Sequence, residues 1–138
     1  MPTSLTAARW LITVATLAYG VGPLVTDMNR THLLHRAWPG HARFHLVWAS
    51  VAQLILAGVI LTLLWRPGGD RVALCRLAAI VGLGQTCGFW CALALRKYYG
   101  GTLHDPQGIP PWGGKIDGNL VAVGAITLLL SSALWLTF

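Results

Sequence analysis

The sequence predicts an all-α fold, an integral membrane four-helix bundle forming a single domain over residues 1–138, and three observations carry that prediction. Only 10% of the 138 residues are charged and 55% are hydrophobic, against about 25% charged in a soluble domain. Four apolar runs of 17 to 24 residues divide the chain, and about 20 residues cross a ~30 Å hydrocarbon core at ~1.5 Å per residue. Tryptophan and tyrosine gather where the runs end, as expected at membrane–water boundaries. A span in lipid must satisfy its own backbone hydrogen bonds, so each run is read as a helix. The composition excludes a disordered chain, a water-soluble globular enzyme and a coiled coil.

The first run covers Trp10–Thr26. Gly20, Gly22 and Pro23 predict a kink or an end near its close. It is read as a retained span, since it is long for a leader and lacks a clear small-residue cleavage site. The second run, Phe44–Trp65, is opened by Pro39-Gly40, with proline near the first helical position. Arg66-Pro67-Gly68-Gly69-Asp70-Arg71 is a tight turn, which makes the second run and the third, Val72–Leu95, antiparallel neighbours. The segment 96–117, rich in glycine and proline, is predicted to be a surface loop rather than a fifth helix. The fourth run is Gly118–Phe138.

Trp10, Trp65 and Trp135 mark one membrane face; Trp38, Trp48, Trp90, Tyr98, Tyr99 and Trp112 mark the other, the loop face. Six basic residues on the loop face against four on the turn face leave the orientation open. The net charge of +6 does not point to nucleic acid, because the basic residues are scattered between apolar runs and form no stripe. Gly84 and Gly88, and Gly118 and Ala122, are spaced for close helix contact, within the chain or in a homo-oligomer. Cys87 and Cys91, four apart, are read as small core residues; a helix rarely closes a disulfide at that spacing.

The polar residues are distributed unevenly. All five histidines (32, 35, 41, 45 and 104) and three of the four aspartates (27, 105 and 117) fall on the loop face, and the chain has no glutamate. A bundle would gather those span ends around one mouth. His41 and His45, at i and i+4, project from one side of a helix that opens near Pro39. Two imidazoles so spaced can chelate zinc or iron, with His32, His35, Asp27 or Asp117 as a third ligand. Without a metal, His41 and His45 can work as acid and base near neutral pH, partnered by Asp27 and supported by His32 and Asp117. Arg43 can hold an anionic group or pair with Asp27. Equally, polar residues at an interface can simply bond headgroups or backbone. A di-iron carboxylate bundle needs several glutamates, including Glu-x-x-His motifs, and is not expected in a chain without glutamate.

Gln53 and Gln85 fall at similar mid-membrane depth. They form either a hydrogen-bonded pair between neighbouring helices or the polar floor of a lipophilic pocket, to which Tyr19, Asn119 and Trp48 also belong.

From Asp27 to His45 the sequence resembles a family of small four-span membrane proteins. Its pattern is an acid near the end of the first span, Thr-His, and a Trp-Pro-x-His-Ala-Arg-Phe-His segment. Here these are Asp27, Thr31-His32 and Trp38-Pro39-Gly40-His41-Ala42-Arg43-Phe44-His45. The resemblance implies the fold rather than an activity. In architecture alone the chain is similar to the emopamil-binding and sigma-two receptor group, whose pockets take sterol-like ligands; it lacks their glutamates, so no residue role carries over.

The sequence therefore leads to an expectation of a bilayer-embedded enzyme acting on a lipophilic small molecule. Its chemistry would be isomerisation or cyclisation by His/Asp proton transfer, or reaction at a His-ligated zinc or iron. A metal-free site is an equal expectation. The competing expectation is a non-enzymatic lipid or small-molecule binder, or an accessory membrane subunit.

Overall fold

The computed structural model describes residues 3–104 and 111–138; Asp105 and the loop positions 106–110 lie outside the described residues. Four helices, α1 (Thr3–Thr26), α2 (Gly40–Trp65), α3 (Arg71–Leu95) and α4 (Gly118–Trp135), make up the chain, with a short 3₁₀ turn at Arg96–Tyr98. All four are long and apolar enough to cross a membrane. They pack as a membrane four-helix bundle, with no strand among the described residues.

α1 begins seven residues before the apolar run and passes through Pro23 rather than ending there. A proline late in a helix removes one donor only, here the N–H that the Tyr19 carbonyl would otherwise receive, and the helix continues for one more turn. α2 opens at Pro39, extended at its cap position, as its sequence predicts. Asp70 caps α3 by accepting from Val72 N and Ala73 N at 3.0 and 3.1 Å. Asp117 caps α4 through Asn119 N at 2.8 Å. Gly68 and Gly69, at φ 79° and 80°, take the left-handed backbone that the turn between α2 and α3 requires. Replacing Asp70 by alanine should lower stability by about 1 kcal/mol, the usual worth of an N-cap. Thermal unfolding in detergent would show it, with Asp70→Ser close to wild type; an Asp70→Ala midpoint equal to wild type would refute the cap's contribution.

α1 is the hub. It packs on α2, α3 and α4; α3 also packs on α4; α2 meets α3 more sparingly, and α2 and α4 do not meet. Close approach uses glycines other than those the spacing predicted. A side chain on Gly20 would collide with Ala57 of α2, and one on Gly82 would come within 2.9 Å of Leu130 and 3.4 Å of the Tyr19 ring. Gly84 and Gly88 have no neighbour in this chain within contact distance of such an added atom. Cys87 and Cys91 are exposed, correcting their reading as core residues, while Cys75 is buried.

The core sits in the turn-face half, where Ile12, Leu64, Cys75 and Leu130 are fully buried. Two arginines close that end. Arg9 donates to the Leu64 carbonyl at 3.0 Å and lies 4.1 Å from the Trp65 ring centre. Arg76 donates to the Thr137 carbonyl at 2.6 Å and lies over Phe138. Each donates to a backbone carbonyl at the end of a neighbouring helix, and Arg76 also to the Thr137 hydroxyl, where orphan carbonyls and the negative end of the helix dipole coincide. The loop-face half is less filled, and the candidate site lies there.

Candidate functional site

A cavity of about 280 Å³ lies within the loop-face half, lined from all four helices. α1 contributes Tyr19, Thr26 and Asp27, the last just past its end; α2 contributes Gln53; α3 contributes Gln85 and Thr86; α4 contributes Asn119. Phe89, Ala122, Val123 and Ile126 add apolar wall. A few polar groups converging on mostly apolar walls is the usual make-up of a small-molecule pocket, and the volume falls just below the usual ~300–1000 Å³ range.

The polar groups are incompletely partnered. Asp27 accepts from the Thr26 hydroxyl at 2.8 Å, and no cationic side chain among the described residues pairs with it. Tyr19 is only 5% exposed, and its fully buried hydroxyl has no partner of hydrogen-bonding geometry. Gln53 and Gln85 share the cavity and no hydrogen bond joins them, so the pairing of these amides is not what holds them here. A buried polar group left without a partner costs roughly 1–3 kcal/mol.

A second cavity of about 230 Å³ adjoins the first, sharing Phe89 and Asn119 with it. Arg96, Tyr99 and Thr102 line it toward the loop face. No sequence feature singled out Thr26, Thr86 or Arg96; Thr26 and Thr86 are ordinary polar residues within spans, and only their helical register to Tyr19, Gln85 and Phe89 marks them.

The histidines stand elsewhere. His41 and His45 are exposed on the outside of α2, their Nε2 atoms 3.0 Å apart, alongside Phe44 and Trp48. Trp48 is 61% exposed and lines a shallow groove with Phe44, Val51 and Ile55, not the cavity. His32 contacts the Thr31 hydroxyl at 2.8 Å and the edge of Trp38. Arg43 donates to the His35 carbonyl at 2.8 Å instead of pairing with Asp27. Asp117, beyond capping α4, lies 3.6 Å from His104. Trp90 donates to Thr127, tying α3 to α4. Among the described residues no three His, Cys, Asp or Glu side chains come together to hold a metal. The structure thus brings together Tyr19, Asp27, Gln53, Gln85 and Asn119, and does not bring His32, His41, His45, Arg43, Trp48 or Asp117 to them.

Residues 11–130 match the model of a family described as "Family of unknown function (DUF6640)". The chain belongs to this family. The match starts within α1 and ends within α4, so it takes in every residue that lines the two cavities. No curated protein and no solved structure matches the chain.

Proposed function

We propose that this DUF6640 protein takes a lipophilic small molecule with a hydrogen-bonding end into the loop-face cavity. The observation that carries the proposal is the convergence of Tyr19, Asp27, Gln53, Gln85 and Asn119, from all four helices, on one mostly apolar cavity. Polar side chains at membrane depth are costly and are retained where they line a path or a site. Asp27 offers an acceptor and the Gln53, Gln85 and Asn119 amides both donors and acceptors, while Tyr19 contributes to the wall and keeps its hydroxyl buried. An apolar remainder of the molecule then lies against Ile126, Val123 and Phe89.

A proton-transfer enzyme, an isomerase or cyclase, is the second reading. It is favoured by one specific observation: a carboxyl with no cationic partner among the described residues lines the cavity beside side-chain amides. In that reading Asp27 takes a proton from the bound molecule and the Gln53, Gln85 or Asn119 amides support the charge that develops, in place of the acid–base pair that the sequence analysis expects at His41 and His45.

Gly22 supplies the test. It lines the cavity, and an atom added to it meets nothing within 4 Å. Gly22→Phe places a bulky ring at the cavity wall where its first added atom has room, and unchanged elution on size exclusion checks that helix packing is kept. Photo-labelling of the detergent-solubilised protein with a diazirine-bearing long-chain alcohol should mark cavity residues in the wild type. It should fall by about tenfold or more in Gly22→Phe, matching roughly 1.4 kcal/mol or more of lost binding. Trp48→Ala, on the outer groove, should label like wild type. Equal labelling in wild type and Gly22→Phe would remove the cavity as the binding site.

A further inference from the structure

The imidazoles of His41 and His45 are not used by the cavity, and their arrangement has its own chemistry. They sit one turn apart in the first turns of α2, at the loop face, both exposed. Their Nε2 atoms converge to 3.0 Å. The His45 ring is flanked by Phe44 and Trp48, at centroid separations of 5.9 and 5.7 Å. Those neighbours restrict its rotamers and lower the entropy lost on ligation. One proton between two ring nitrogens can hold them at that separation, and so can a metal ion. Metal–imidazole bonds of about 2.0–2.1 Å, spanning two nitrogens at this spacing, enclose an angle of roughly 90–100° at the metal. A tetrahedral ion prefers a wider angle; a tetragonal ion such as Cu(II) or Ni(II) prefers this one.

We propose that His41 and His45 form a bidentate chelate for a divalent cation of the copper or nickel class at the water–lipid boundary. Each ring binds through Nε2 and carries its proton on Nδ1; in the neutral pair the proton between the rings sits on one Nε2, and on ligation it passes through solvent to the bare Nδ1 of that same ring, so no net proton is released. Water fills the remaining positions, since no third protein ligand stands within reach among the described residues. The positive end of the α2 dipole opposes the cation by about 0.3–1 kcal/mol, small beside two metal–nitrogen bonds. This site is independent of the cavity, and the failure of either proposal leaves the other standing.

The test is titration of Cu(II) into the full chain in detergent, followed by calorimetry and by electron paramagnetic resonance. The wild-type spectrum should carry the splitting of two imidazole nitrogens. His41→Ala and His45→Ala should each reduce the splitting to that of one nitrogen. Each should weaken affinity on the order of 100-fold, because the second imidazole of a chelate binds at high effective concentration. His104→Ala should bind as wild type does. Both chelating positions are exposed, so the variants should fold, and unchanged elution on size exclusion checks that. A single-nitrogen spectrum in the wild type, or unaltered affinity in both chelate variants, overturns the proposal.

Discussion

Gly20→Val should destabilise the bundle more than a substitution at any open glycine of the helices. A side chain at position 20 meets Ala57 of α2 at a distance no packed atoms tolerate, and the Ala57 backbone lies close behind it. Neither partner can yield by a rotamer change: Ala57 has no side-chain torsion, and Gly20 is in mid-helix. Relief needs α1 and α2 to separate along their shared length. Overpacking a close contact costs about 1–3 kcal/mol, and helix association in lipid depends on such close packing because no hydrophobic force drives it. A shift of 2 kcal/mol changes a folding equilibrium about 30-fold. The comparison is Gly84→Val, on the open side of α3, where an added atom meets nothing within 4 Å. Thermal unfolding in detergent should show Gly20→Val well below wild type and Gly84→Val near it. If the two variants melt alike, the Gly20–Ala57 crossing does not hold the bundle.

Changes at Asp27 should separate the binding and catalytic readings of the cavity. The Asp27 carboxylate is held by the Thr26 hydroxyl and has no cationic partner among the described residues. A hydrogen bond to a charged group is worth about 1.5–3 kcal/mol, so Asp27→Leu should weaken ligand retention about tenfold or more. Asp27→Asn keeps an acceptor of similar shape and loses the ability to take a proton. For a binder of neutral molecules, labelling in Asp27→Asn should stay within a few-fold of wild type. For an acid–base enzyme the same variant should bind and yet lose turnover by about 10²–10⁴-fold, the usual worth of a positioned general base. Full labelling in Asp27→Leu would show that the carboxyl takes no part in either role.

The fold was legible because the bilayer imposes it: length, apolarity and interfacial aromatics locate Trp10–Thr26, Phe44–Trp65, Val72–Leu95 and Gly118 onward before any coordinate is seen. The cavity was partly legible for the same reason. Gln53 and Gln85 are polar at equal depth, and depth can be counted along a helix at ~1.5 Å per residue. What the sequence did not reveal is which side of α2 turns inward. In water, polarity marks the outer face; in lipid, apolar residues clothe both faces, and the contrast disappears. His41 and His45 therefore read as inward-facing, although the buried positions of α2, Ser50, Ala57, Ile60 and Leu64, trace a different stripe. Extended back by threes and fours, that stripe passes through Leu46 and Arg43, leaving both histidines outside. The small residues Ser50 and Ala57, flanking Gln53, were the available signal.

The place of α1 at the hub has a biosynthetic consequence. It leaves the ribosome before the other three helices, and α4, which it must finally embrace, leaves after them. A nascent chain with three helices inserted can already seat Gly20 on Ala57, and it lacks the surface that Asn119, Val123 and Ile126 give the cavity. The cavity is therefore closed only when α4 arrives, and a chain released before Gly118 would leave a three-walled intermediate in the membrane.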